Sequence, residues 1–140
     1  MNKTKLKTSL FIVSSFLIPA IMMFFIYLSQ GIYWNSDTSP LLGDGYHQYV
    51  IFDTTLRNIL HGTDSLFYSF QSGLGINFYA LSSYYLGSFF SPLVFFFNAQ
   101  SMPNAVYLIT LLKFGAIGLS TYISLHGMFS KIPFQPHLLL

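Results

Sequence analysis

Lys3-Thr4-Lys5-Leu6-Lys7 leads into Thr8-Ser9-Leu10-Phe11-Ile12-Val13-Ser14-Ser15-Phe16-Leu17-Ile18-Pro19-Ala20-Ile21-Met22-Met23-Phe24-Phe25-Ile26-Tyr27-Leu28, an uncharged run that decides the fold. About 20 apolar residues in a row match the span of a hydrocarbon core roughly 30 Å thick. The run exceeds the about 7–15 apolar residues of a secretory signal, and Ser29-Gln30-Gly31 offers no small-x-small cleavage site. The stretch therefore reads as an uncleaved signal-anchor helix, and the preceding lysines place the N-terminus in the cytoplasm. Pro19 predicts a kink in mid-span. Tyr27, Tyr33 and Trp34 read as an aromatic belt at the outer interface.

Composition agrees with a membrane protein. Of 140 residues, 53% are hydrophobic and 7% charged, with 16 Phe and 10 Tyr. A soluble domain carries about 25% charged residues, so this surface is not built to face water. The absence of cysteine excludes disulfides, thiolate chemistry and Cys-based zinc sites. Six cations with a net charge of +2 do not supply the basic face that nucleic-acid binding needs.

Two further runs complete an all-α integral membrane protein with three predicted transmembrane helices. Residues 1–29 form the basic tail and first span, 30–77 an extracellular loop, 78–97 a second span and 98–104 a cytoplasmic connection. The third span is 105–125, with Lys113 inside it, and Gly115 and Gly118 predict close helix packing there. Residues 126–140, with Lys131, form an extracellular tail whose Leu138-Leu139-Leu140 ending reads as the start of another span.

All four acids, Asp37, Asp44, Asp53 and Asp64, lie in the 30–77 loop. A chain this apolar keeps carboxylates where water, a partner group or chemistry meets their charge. Periodicity predicts an amphipathic helix over about 46–61, with Tyr49, Phe52, Leu56, Ile59 and Leu60 on one face and Gly62 as its stop. The helix is expected to lie flat on the outer leaflet as a juxtamembrane element. Thr63-Asp64-Ser65 predicts the cap of a shorter element over 66–70.

Asp44 stands between Gly43 and Gly45, where close approach of a substrate is open. It reads either as a catalytic carboxylate or as an N-cap accepting the amide hydrogen of His47. His47 and Gln48 follow at spacings that put them on its side of a helix, to orient it or bind substrate. Asp53 and Arg57 read as an i,i+4 ion pair, with lipid-phosphate binding as the alternative for Arg57. Lys113 falls about nine residues into its span, roughly 12 Å deep at about 1.5 Å per residue. It either snorkels or binds an anion. No spacing among acids and histidines marks a metal site, so no cofactor is expected and a divalent metal is left open.

Several segments together resemble the N-terminal part of the YfhO family. They are the lysine-led first span, Gly43-Asp44-Gly45-Tyr46-His47-Gln48-Tyr49-Val50-Ile51-Phe52, and Ser69-Phe70-Gln71-Ser72-Gly73-Leu74-Gly75-Ile76-Asn77. Tyr84-Tyr85-Leu86-Gly87-Ser88-Phe89-Phe90-Ser91-Pro92-Leu93 and Lys113-Phe114-Gly115 complete the set. The resemblance implies a GT-C glycosyltransferase architecture in the bacterial cytoplasmic membrane. It implies transfer of a sugar from an undecaprenyl-phosphate carrier, a polyprenyl-phosphate donor, to a cell-surface polymer such as teichoic acid. Asp44 would be the catalytic base, and His47, Gln48, Arg57 and Lys113 the substrate-binding residues. Family members are longer, so this polypeptide is expected to be a fragment, inactive alone. The alternative is a small non-enzymatic membrane protein that docks to partner helices through Lys113, Gly115 and Gly118.

Overall fold

The computed structural model describes residues 3–41, 43–71 and 73–129, with side chains from Leu6 onward. The side chains of Lys3 and Lys5, and the expected tail with Lys131 and Leu138–Leu140, lie outside the described residues. Two long helices form a hairpin: α1 (Lys3–Ser29) and, after the intervening elements, α4 (Met102–Phe129). Leu6–Ser29, within α1, and Ala99–Phe129, which is α4 with the short turn before it, are long and apolar enough to cross a membrane.

The two helices run antiparallel. Tyr27 stacks on Tyr107 with ring centroids 5.4 Å apart. Further along, the Phe16 ring lies over Gly115, and the Ser15 carbonyl and Pro19 ring lie over Gly118. The small residues let the backbones approach, as the Gly115 and Gly118 spacing predicts. Pro19 has no N–H to give the Ser15 carbonyl, and that carbonyl turns toward the neighbouring glycine instead.

The chain between these helices folds as a cap at one end of the hairpin. A π-helical turn, Gly45–Tyr49, runs straight into α2 (Val50–Leu60). Gly62 ends the helix with φ +74°, a left-handed conformation that glycine adopts without strain. The apolar face of this helix is turned largely inward. Phe52 packs with Phe78 and Leu86 into a buried cluster, joined by Leu56 and Ile59. Much of the face expected on the outer leaflet is thus packed inside the protein, while Tyr49 and Leu60 stay exposed. The short element expected over 66–70 is also absent, replaced by a bridge in which Ser69 and Ile76 exchange backbone hydrogen bonds of 2.9 Å.

The expected second span over 78–97 is not a continuous helix. It forms α3 (Phe78–Tyr85), capped by Asn77, and a separate 3-10 turn, Ser91–Phe96. The break has local causes. The Ser82 and Ser83 hydroxyls turn back onto the Tyr79 carbonyl at 2.8 and 3.2 Å, which favours helix bending. Gly87 follows, and Pro92 has no N–H to continue a helix but suits the start of a new turn. Eight helical residues rise about 12 Å, far short of a bilayer core.

Residues 98–104, expected as a cytoplasmic connection, pack beside the start of the 30–77 loop. Asn104 holds Asn35 twice: its Oδ1 accepts from the Asn35 backbone N–H at 3.0 Å, and its Nδ2 donates to Asn35 Oδ1 at 2.6 Å. Two residues bonded to each other cannot sit on opposite faces of a membrane. Trp34 seals the same corner, 6.2 Å from the Phe97 ring and 6.5 Å from Tyr107. Asn98 and Ser101 form a reciprocal capping box that leads into α4. A second buried cluster, Val94, Met102, Ala105 and Ile109, fixes the 3-10 turn and α2 against the first turns of α4.

Candidate functional site

The start of α2, the end of α3 and the middle of α4 enclose a hollow of about 220 Å³. Gly45, Tyr49 and Asp53 line one wall, Tyr85 another, and Thr110 and Lys113 the third. The π-helical turn brings Gly45 and Tyr49, from its two ends, to the hollow.

Asp44 is not a side-chain cap. Its backbone is already helical, at φ −60° and ψ −27°, and its carboxylate accepts no backbone amide. The His47 N–H that a cap would satisfy goes to the Gly43 carbonyl at 3.1 Å, made possible by Gly43 at φ +55°. The Asp44 carboxylate is exposed and accepts from Gln48 Nε2 at 3.3 Å. Gln48 is fixed from the other end, where its Oε1 accepts the Tyr85 hydroxyl at 2.6 Å. Burial, then the neighbouring Tyr84 and the Asp44 charge, push the Tyr85 phenol above its ordinary range, so it stays a donor. Tyr85 is held by the rings of Phe52 at 4.9 Å and Tyr49 at 5.4 Å. Asp44, Gln48 and Tyr85 thus form one chain of hydrogen bonds from solvent to the hollow.

Asp53 lies deeper. It is 7% exposed, and among the described residues its carboxylate makes no hydrogen bond. Its oxygens are not sealed off, because they face the hollow. Burial pushes its pKa up to about 6, against the opposing pull of the Lys113 ammonium. The expected pair with Arg57 does not form. Arg57 Nε donates to the Phe97 carbonyl at 3.0 Å, and its Nη1 donates to Asn58 Oδ1 at 3.1 Å. The guanidinium ties α2 to the strand-like exit of the 3-10 turn and lies away from the hollow.

Of the residues singled out by sequence, the structure brings together Asp44 and Gln48, with Lys113 across the hollow. His47 is exposed, edge-on to the Tyr46 ring at 5.5 Å. Tyr85 carries no sequence signal for its role, since its partner is 37 residues away. Asp53 did carry one. Of its neighbours at three and four positions, Tyr49, Val50 and Leu56 are apolar and only Arg57 is polar, the pattern of a buried face.

Lys113 stands at a step in α4. Before it, Met102, Ala105, Tyr107 and Ile109 are buried; the large apolar residues bare to the outside begin at Phe114 and continue to Phe129. Among the described residues, no group of three His or acidic side chains is placed to hold a metal. A family model described as "Bacterial membrane protein YfhO" matches residues 14–139. No curated protein and no solved structure matches the chain.

Proposed function

We propose a function from one premise: this chain belongs to the YfhO family of bacterial membrane proteins. Two helices long and apolar enough to cross a bilayer accord with association with the membrane. The three lysines at the N-terminus favour a cytoplasmic start. The cap of residues 30–101 then lies outside the cell.

The reading is glycosyl transfer from a polyprenyl-phosphate-linked sugar to a cell-surface polymer such as teichoic acid. Asp44 takes the proton of the acceptor hydroxyl as that oxygen attacks the anomeric carbon and the sugar-phosphate bond opens. The observation that carries it is the state of Asp44. Its carboxylate is free of any capping duty and open to solvent, and Gln48, itself held by Tyr85, orients it. Lys113 on the far wall suits a donor phosphate. His47 is free to meet an acceptor from outside, whereas Arg57 is committed to Phe97 and Asn58 and would reach a phosphate only by leaving them.

The docking alternative loses part of its motive, because the Gly115 and Gly118 face is already filled by α1. The test is Asp44→Asn in the full polypeptide of the native gene, at matched membrane levels. General-base loss should lower polymer glycosylation by roughly 10²–10⁴-fold. Glycosylation at the wild-type level would remove Asp44 from the chemistry.

A further inference from the structure

Among the described residues, Asp53 is the charged group in the hollow that the reaction above leaves unused. A buried carboxylate without a hydrogen-bond donor is unfavourable unless a donor arrives. Lys113 does not supply it, because no ion pair joins the two among the described residues. An anionic group from α2 and a cationic group from α4 therefore face one hollow, each open to a ligand. The hollow of about 220 Å³ holds roughly seven waters at about 30 Å³ each. That is comparable to the heavy-atom count of a phosphoethanolamine group.

Lys113 also lines a second, more open groove, with Ser88, Phe89, Phe90, Ala116 and Ile117. This groove is apolar and follows the bare part of α4. Lys113 is thus the hinge between a charged hollow and an apolar channel. Lipids have the same sequence of parts: a head, a phosphate, then chains.

We propose that this site binds an aminophospholipid of the ethanolamine type, with its primary ammonium on Asp53, its phosphate at Lys113 and its acyl chains along the Phe89–Phe90–Ile117 groove. A primary ammonium has three N–H donors for the unpartnered carboxylate, whereas a quaternary choline has none. The Tyr49 and Tyr85 rings that line the hollow add faces for a cation. A polyprenyl phosphate has the phosphate and the chain but no amine, so Asp53 distinguishes the two lipids. The proposal does not rest on sugar transfer.

The experiment uses the full polypeptide of the native gene in nanodiscs of phosphatidylglycerol with a minor share of phosphatidylethanolamine. Retained lipid is read by native mass spectrometry after release. Phosphatidylethanolamine should be retained in preference to phosphatidylglycerol, and over phosphatidylcholine in a parallel disc. Asp53→Asn should lower that retention about tenfold or more, the scale of one hydrogen bond to a charged group. Lys113→Met should lower retention of every phosphate-headed lipid. If phosphatidylglycerol or added polyprenyl phosphate is held as tightly, or if Asp53→Asn changes nothing, the proposal is wrong. Neither result bears on the Asp44→Asn outcome, so the two readings fail separately.

Discussion

Asp53 shows what an unpartnered charge does to its own fold. Its carboxyl ionises near pH 6 rather than at the ordinary 3.8, because burial penalises the charged form. The displacement is worth about 3 kcal/mol at about 1.4 kcal/mol per pKa unit. The folded state binds the proton more tightly than the unfolded state, so stability is full below pH 3.8 and falls as pH rises through about 6. Lys113 from α4 opposes the trend, the Tyr49 and Tyr85 rings face the same hollow, and Arg57 is turned to Phe97. Asp53→Asn should therefore raise thermal stability in detergent at pH 7.5, by up to about 3 kcal/mol. It should also flatten the pH dependence between 4 and 6.5; a variant less stable than wild type at pH 7.5 would show that the ionised carboxylate is already paired. Sequence singled out Asp44, Gln48 and Lys113 because each is polar where the chain is otherwise apolar or glycine-rich. It assigned Asp53 the nearest opposite charge, four residues away, since a long-range packing partner leaves no local trace.

At the scale of elements, the hairpin depends on two glycines that are not equivalent. A Cβ on Gly115 would come within 2.7 Å of the Phe16 ring tip, an atom that can swing aside. A Cβ on Gly118 would run into the Ser15 carbonyl oxygen, with Pro19 Cγ at 2.5 Å, and neither can move without shifting α1. Gly118→Ala should thus destabilise by about 1–3 kcal/mol, as overpacking does, and Gly115→Ala by clearly less. Thermal unfolding of both variants in one detergent decides it, and equal effects would mean the helices slide freely past one another. The long helices and their glycine contact were legible because apolar length and small-residue spacing are local properties. The 78–97 segment was misread for the same reason: its hydropathy resembles a span. Phe78, Leu86 and Val94 are instead buried within the cap, while Phe89 and Phe96 are left exposed. Serine back-bonding and Pro92 break the helix in ways that a hydropathy window averages away.

For the whole molecule, losing one span reverses the sidedness of everything after it. Three spans would place residues 98–104 across the membrane from the 30–77 loop and let α4 run outward. Two helices in an antiparallel hairpin keep residues 30–101 together and send the end of α4, with His126, to the side of the N-terminus. This changes the meaning of Lys113. It lies about 16 Å along α4 from Met102, on the capped side, and lines the same hollow as Asp53. A chain without cysteine makes the test clean. Ser36→Cys and Gln100→Cys, each alone in intact cells, should react with a membrane-impermeant maleimide to the same extent, both positions being on the capped side. Gly127→Cys should react only after the membrane is opened. Labelling of Ser36→Cys with protection of Gln100→Cys would restore a crossing between them, and with it the three-span order. The Asn35–Asn104 clasp argues against that outcome, because its two hydrogen bonds need both residues in one place. Equal labelling would put the hollow, its rim carboxylate and the lysine within reach of a substrate arriving from one side only.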